Sequence, residues 1–194
     1  AAATFGWIMV ASGLNEDSRT WVSAYKLMTH LGIATVLFGY LYWTWLMTFP
    51  IKRQTISPSP LRLLAWLTTA LLMVQILLGG LMAGMRAGLI HPYFPFFVEG
   101  ERLLSALSNN TAGIEAFIDY EGAVAPKAWV QVFHRGTAYL LSSLIILLSI
   151  KINRSAGISQ KIINSTKVLV TLLVTQFSLG ILTVINCFGK VPVS

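Results

Sequence analysis

Charged side chains are scarce in this chain, and their scarcity excludes an ordinary soluble domain. Charged residues make up 11% of the 194 residues, whereas hydrophobic residues make up 55%. A soluble globular domain carries about 25% charged residues. The charges that are present separate long apolar blocks, and a membrane-spanning helix needs about 20 apolar residues. Four blocks are long enough: 24–49, 62–85, 129–150 and 167–188. The sequence therefore predicts an all-α, polytopic transmembrane helix bundle.

Several kinds of reactive site are also missing from the sequence. The single cysteine, Cys187, excludes an intrachain disulfide and a CxxC site, and we expect it to be a small packed thiol near a helix end. The chain has no glycine-rich phosphate loop, no HExxH pattern and no carboxylate within an apolar block. The last absence argues against a proton-coupled transporter, which usually needs a buried acid.

Basic and acidic residues lie in different connecting segments, and this separation predicts the orientation in the membrane. Segments 50–62 and 151–167 contain lysines and arginines and no acid, while all acidic residues lie in 14–23 and 87–128. The positive-inside rule places the two basic segments in the cytoplasm and the two acidic segments outside. The net charge of +7 is then explained by contact with anionic membrane lipids, and no nucleic-acid partner is expected.

Two segments that are predicted to lie near the outer face of the membrane carry further expectations. Block 1–13 is too short to span a bilayer and lacks the basic region and cleavage site of a signal peptide, so we expect it to be the outer end of a helix that begins earlier. The outer loop 87–128 is longer than a simple connector, and its apolar spacing predicts short amphipathic helices at the outer interface.

Two parts of the chain are similar to each other. AYKLMTHLGIATVLFGYLYW contains His30, AWVQVFHRGTAYLLSSLIIL contains His134, and VQILLGG at 74–80 is echoed by TQFSLGI at 175–181. This similarity indicates a duplicated helix pair. The predicted organisation is two pseudo-repeated halves, with 1–60 as the end of the N-terminal half and 61–194 as most of the C-terminal half.

His30 and His134 are the candidate metal ligands, because each lies within an apolar block. Each lies about six residues into its block, which is about 9 Å below the outer end of the helix. Neutral imidazole binds iron well, and histidines on bundle helices can hold a heme. The alternative is a histidine that hydrogen-bonds to a neighbouring helix, as Gln75 and Gln176 are expected to do. His91 lies in a loop and is expected to be structural or solvated.

Arg86 and Arg135 are the candidate anion-binding residues. Arg135 directly follows His134, and Arg86 lies at the outer end of its helix. Either these side chains anchor their helices at the membrane interface, or they bind carboxylates such as heme propionates. A set of glycines near Arg86 is predicted to leave a flat surface for a macrocycle, with the cluster HPYFP turning the chain and capping the pocket: Gly79, Gly80, Gly84 and Gly88.

The order of five motifs resembles the heme A synthase family. These motifs are GWIMVASGL followed by SAYKLMTHLGIA, then QILLGGLMAGMRAGL with a following FP, then QVFHRGTAYLL, then TQFSLGIL. The resemblance covers nearly the whole chain and implies a member of the cysteine-poor branch. It implies eight transmembrane helices in two similar four-helix halves, of which this chain holds the end of the third helix and helices four to seven. The family commonly has asparagine before the FP, where this chain has HPYFP, so no family role is carried over to His91.

The resemblance also implies an activity and a set of site residues. The family oxidises a ring methyl group of heme O to the formyl group of heme A in successive steps. His30 matches a histidine of the substrate-heme site and is the expected catalytic residue. His134 matches a ligand of a heme b that passes electrons, so His30 and His134 are both expected iron ligands. Arg135 and Arg86, selected above from their positions in the sequence, are the expected cofactor-binding arginines. The histidines that complete both pairs belong to helices two and eight of the family.

The expected cofactor is heme b, with heme O as substrate and heme A as product. An unidentified electron donor, heme O synthase, cytochrome oxidase assembly factors and membrane lipids are the expected partners. The expected location is a bacterial cell membrane rather than the mitochondrial inner membrane. Two alternatives stay open at this stage. One is a non-enzymatic b-type cytochrome in which His30 and His134 ligate one heme, and the other is a transporter built from repeats.

Overall fold

Long helices make up most of the chain that the structure describes. The structure is a computed structural model, and it describes residues 3–4, 6–7, 11, 23–49, 59–91, 94, 105, 107–108 and 113–187. The elements in chain order are α1 (Ala24–Met47), α2 (Ser59–Gly84), a 3-10 turn (Ala87–Leu89), α3 (Glu115–Ile118), α4 (Val124–Arg154) and α5 (Gln160–Cys187). No strand occurs in these ranges. The prediction of an all-α bundle is therefore confirmed.

Three helices within the described ranges are long and apolar enough to cross a membrane: Pro60–Gly84, Val124–Arg154 and Gln160–Asn186. They correspond to three of the four predicted blocks. The remaining block, 24–49, also forms a helix, α1. Its 24 helical residues would extend about 36 Å, more than the bilayer core of about 30 Å. Lys26, His30 and several tyrosines and tryptophans interrupt the aliphatic sequence of α1. The chain is a multi-pass membrane protein.

The ends of the helices follow from local sequence. Pro60 and Pro126 lie in the first turns of α2 and α4, where a missing backbone N–H breaks no helical hydrogen bond. The helix α4 carries Lys151 and Arg154 in its last turn, where positive charge interacts favourably with the helix dipole. A short connection follows, in which Gly157 adopts a φ of 80° that glycine tolerates well. α4 and α5 therefore form a helical hairpin with its basic residues near the connection.

Compact packing divides the chain into two units, residues 1–84 and 85–194. In the first unit, α1 and α2 pack on each other in an antiparallel arrangement. In the second unit, α4 packs on α5, and the 3-10 turn packs on both of these helices. The predicted division at residue 60 concerns the repeat and stays a prediction.

The core of the second unit follows one face of α4. Leu141, Ile145 and Leu148 are 5%, 4% and 7% exposed, and their spacing puts them on one side of the helix. The large side chains on the other faces are exposed, as expected for a surface that meets lipid. Several serine and threonine hydroxyls of α4 and α5 donate to the carbonyl four residues earlier, as in Ser143 to Tyr139 at 2.9 Å, which satisfies these hydroxyls without water.

Only part of the outer loop is described. α3 is a four-residue helix that packs on α4, and Ser105, Leu107 and Ser108 are also helical, in agreement with the expectation of short helices. Most of the predicted loops 14–23 and 50–62, namely residues 14–22 and 50–58, lies outside the described residues, as does the side chain of Cys187. The orientation in the membrane stays a prediction.

Candidate functional site

Small residues hold α1 against α2 in the first unit. A Cβ atom added at Gly84 would lie 2.5 Å from the Cα of Ala24, and one added at Gly80 would lie 3.0 Å from the Cα of Met28. Because these distances are to backbone atoms, the two helices approach as closely as glycine allows. Ala24 is fully buried in this contact. The sequence hypothesis that these glycines leave a surface for a macrocycle is therefore wrong for Gly80 and Gly84, since α1 occupies the space beside them.

His30 lies on the opposite side of α1 from this contact. Ala24, Met28 and Gly32 are spaced by four residues and form the stripe that meets α2, where a Cβ on Gly32 would lie 2.9 Å from Leu77 Cδ2. His30 is two positions from Met28, which is a rotation of about 200° around the helix. The glycines of α2 and the His30 side chain therefore lie on different faces of α1. The sequence pattern alone does not show this arrangement.

The His30 imidazole lies instead against Gly6, near the N-terminal end of the chain. A Cβ atom added at Gly6 would lie 3.2 Å from Cε1 of His30. The ring is half-buried, and its Nδ1 atom is buried without a hydrogen-bond partner. A histidine that serves only to join helices normally makes such a hydrogen bond. Since Nδ1 does not join α1 to another helix, Nε2 is the nitrogen of this side chain to consider for a ligand.

His134 lies in α4 of the second unit and is also half-buried. Thr137 donates its hydroxyl to the carbonyl oxygens of Phe133 and His134, at 2.8 and 3.1 Å. Since α4 begins at Val124 rather than near residue 129, His134 lies in the third turn of its helix, whereas His30 lies in the second turn of α1. The equal depth inferred from the apolar pattern is therefore not reproduced when depth is measured from the start of each helix.

Arg135 and Gln131 fix the segment that follows the 3-10 turn. The backbone carbonyl of His91 accepts hydrogen bonds from Gln131 Nε2 and from Arg135 Nη2, both at 2.9 Å. Gln131 and Arg135 are four residues apart, so both lie on one face of α4. Gln131 is fully buried. His91 therefore has a structural role through its main chain, and Arg135 has a role in the fold in addition to any role in cofactor binding.

Gln131 was missed by the sequence reasoning. The signal was available, because a glutamine inside the apolar run AWVQVF is a polar group at membrane depth, three residues before His134. The two glutamines that were singled out instead have other settings: Gln75 is half-buried and Gln176 is exposed. Aromatic rings provide a further contact between α4, α5 and residue 94. Phe177 of α5 packs against Phe94 and against Tyr139 of α4, with ring centroids 6.2 and 6.0 Å apart.

Arg86 adopts an unusual backbone conformation. It follows the end of α2 with φ 53° and ψ 31°, and it is the one non-glycine residue with positive φ among the described residues. A left-handed residue with a side chain costs about 1–2 kcal/mol, and glycine usually occupies this position after a helix. The side chain of Arg86 is exposed between Met85 and Ala87, which are 3% and 0% exposed. Strain of this kind at an exposed cation supports a functional role.

The described residues fit a heme better than a bare metal ion. They contain no group of three or more histidine, cysteine or acidic side chains that could hold a metal ion. A heme iron needs only one or two axial side chains, because the macrocycle supplies the other ligands. Two half-buried histidines lie on long helices, His30 on α1 in the first unit and His134 on α4 in the second. Arg86 and Arg135 carry the positive charge that binding of its carboxylates would require.

Comparison with known proteins gives consistent matches along the whole chain. The family model COX15-CtaA, described as cytochrome oxidase assembly protein, matches residues 1–193. Similar curated proteins include "Heme A synthase" of Flavobacterium psychrophilum, which is 34% identical over 93% of this chain and 50% of its own length. "Heme A synthase" of Bradyrhizobium sp. (strain ORS 278) is 35% identical over 97% of this chain and 49% of its own length.

A third similar protein, "Heme A synthase" of Methylorubrum extorquens (strain PA1), is 37% identical over 93% of this chain and 45% of its own length. The chain therefore spans about half the length of the curated relatives that it matches. No solved structure matches the chain.

Proposed function

Since the chain belongs to the cytochrome oxidase assembly protein family COX15-CtaA, we propose that it forms part of a membrane heme A synthase. The proposed reaction is oxidation of a methyl group of heme O to the formyl group of heme A in successive steps. The family match over residues 1–193, which includes both histidine-bearing helices, is the observation that carries this proposal. The relatives named "Heme A synthase" support it.

In this proposal, His30 is the residue of the chain that touches the substrate heme. Its ring is held against Gly6 on one side of α1, while the other side of α1 is packed on α2. The imidazole is thereby carried on a helix that cannot rotate without breaking the contact of Ala24 with Gly84. A fixed axial side chain keeps the macrocycle, and hence the methyl group to be oxidised, in one position, and small misplacements are costly to rate.

His134 is the proposed ligand of a heme b in the C-terminal half, which would supply electron transfer when bound. α4 carries this histidine within a helix whose neighbouring face is fixed by Gln131 and Arg135. Arg135 bonds His91 through Nη2, and a guanidinium has further N–H groups with which it can bind a propionate. Arg86 is the second proposed propionate-binding residue, because its exposed cation is retained in a strained conformation.

The proposed location is a bacterial cell membrane, with segments 50–62 and 151–167 on the cytoplasmic side. The charge separation along the sequence and the bacterial sources of the relatives support this proposal. Heme O, an electron donor, heme O synthase and cytochrome oxidase assembly factors are the proposed partners.

The proposal is tested by producing the full-length protein in a bacterial host that makes heme O and lacks heme A synthase. Hemes extracted from the membranes should then include heme A, and the purified protein should contain heme b in the pyridine hemochrome assay. Cells that carry an empty vector should contain heme O without heme A. If the protein accumulates in the membrane and the cells still contain only heme O, the proposed enzymatic function is wrong.

A further inference from the structure

Gly6 and the His30 ring are in direct contact within the first unit. A Cβ atom added at Gly6 would lie 3.2 Å from Cε1, 3.7 Å from Nδ1 and 3.8 Å from Nε2 of His30. Nonbonded carbon atoms normally approach to about 3.5–4.0 Å. A side chain at position 6 would therefore press on the corner of the ring between its two nitrogens, and the imidazole would have to move to accommodate it.

The presence of glycine at position 6 needs a reason, because this residue is helical. Glycine inside a helix costs about 0.5–1 kcal/mol relative to alanine. Gly39 of α1 shows the contrast, since a Cβ added there would meet nothing within 4 Å. At Gly6 the missing side chain makes room for one particular group, the His30 imidazole.

The surroundings of the ring also distinguish its two nitrogens. Nδ1 is buried and has no hydrogen-bond partner. A buried nitrogen cannot reach a separate bound molecule, which leaves Nε2 as the nitrogen of His30 that can do so. Any rotation of the ring that relieved a contact at Gly6 would change the direction of Nε2.

We propose that Gly6 is a positioning residue for His30. The bare backbone at Gly6 fixes the orientation of the imidazole, and this orientation directs Nε2 toward the substrate iron. The proposal rests on the proposed function, in which His30 touches the substrate heme. Gly6 itself touches the histidine ring and acts through it.

The contact is tested first without reference to activity, by solid-state NMR of the full-length protein in lipid with ¹³C at histidine Cε1 and glycine Cα. A cross-peak between His30 Cε1 and Gly6 Cα should be present. It should disappear in Gly6→Ala and in His30→Ala, and it should persist in the control Gly39→Ala. The remaining histidine signals should keep their positions in Gly6→Ala, because the change is local.

The positioning role is tested by heme A formation in the same variants. Because Gly6→Ala forces a displacement of a few tenths of an ångström, we expect heme A formation to fall about tenfold, less than the hundredfold loss that a displacement of about 1 Å can cause. Gly39→Ala should form heme A at the normal rate. The thermal unfolding midpoint of Gly6→Ala should not fall below that of the unmodified protein, because the gain in helix propensity offsets the contact with the ring.

Three results would overturn the proposal: a missing cross-peak in the unmodified protein, normal heme A formation in Gly6→Ala, or a general loss of histidine signals and stability in Gly6→Ala. The last result would assign Gly6 to the fold rather than to the ligand. A different result would instead contradict the proposed function. If His30→Ala forms heme A normally while the cross-peak is present in the unmodified protein, Gly6 contacts a histidine that the reaction does not need.

Discussion

Replacing Gly84 by alanine tests whether α1 and α2 are held together by backbone contact. The added Cβ would lie 2.5 Å from Cα and 2.7 Å from Cβ of Ala24. Since carbon atoms need about 3.5 Å, the helices must separate by about 1 Å. No change of rotamer can relieve the overlap, because both atoms of Ala24 are fixed to its backbone. We therefore expect a loss in the upper part of the overpacking range, about 2–3 kcal/mol.

Two other glycines provide the matched series. Gly80→Ala places a Cβ 3.0 Å from the Cα of Met28, so its loss should be smaller. Gly39→Ala meets nothing within 4 Å, and it should increase stability by about 0.5–1 kcal/mol through helix propensity. Unfolding of the full-length protein in mixed micelles with increasing SDS gives the order of the three variants. If Gly84→Ala unfolds at the same SDS fraction as Gly39→Ala, the close approach of α1 and α2 is wrong.

Three further perturbations test the second unit and the topology. Arg86→Gly should stabilise the protein by about 1 kcal/mol in the same unfolding assay, because glycine adopts the left-handed conformation without strain. The same variant should retain heme less well. A loss of stability would contradict the assigned conformation. Gln131→Leu removes one of the donors to the His91 carbonyl and should lower the stability by about 1–2 kcal/mol, with faster hydrogen exchange in the 3-10 turn Ala87–Leu89. Unchanged exchange in that turn would argue against the hydrogen bond from Gln131 to His91. A reporter that is active only outside the cytoplasm should be active when fused after Ser108 and silent when fused after Ser155, and the reverse pattern would overturn the orientation.

The helices themselves could be predicted from the sequence because lipid restricts the possible structures so strongly. A spanning segment must satisfy its backbone internally, so a long apolar block becomes a helix. The start of α4 was less predictable. The apolar block begins near residue 129, but the helix begins at Val124, because Pro126 is tolerated in a first turn and Ala125, Pro126 and Ala128 are buried in the packing.

The use of the glycines could be predicted only in part. Glycines spaced by four residues indicate that something approaches the helix closely, and the sequence does not say what. The structure places α1 there, with Ala24 and Met28 against Gly84 and Gly80. The direction of His30 then follows from the helical period, which separates it from Met28 by about 200°. The spacing in the sequence gives the direction of His30 once the residues of α1 that contact α2 are known. Without those contacts, the spacing does not give it.

Side chains that bind a backbone carbonyl were the least predictable feature of the site. Arg135 was selected for its position beside His134, and it also donates to His91. Gln131 gave a weak signal, a single amide in an apolar run, and its acceptor is 40 positions away in sequence. The backbone conformation of Arg86 gave no signal, because glycine is the residue usually associated with a left-handed helix end.

The most direct test of the central claim compares His30→Ala with His134→Ala in the full-length protein, using absorbance spectra and chromatography of extracted hemes. Because the proposed enzyme has one heme as substrate and another for electron transfer, we expect the two histidines to serve different hemes. His134→Ala should lose the low-spin heme b spectrum and still insert into the membrane. His30→Ala should keep that spectrum and accumulate heme O or a partly oxidised product. Identical loss of heme b in both variants would contradict the two-site enzyme and favour a cytochrome in which both histidines ligate one heme.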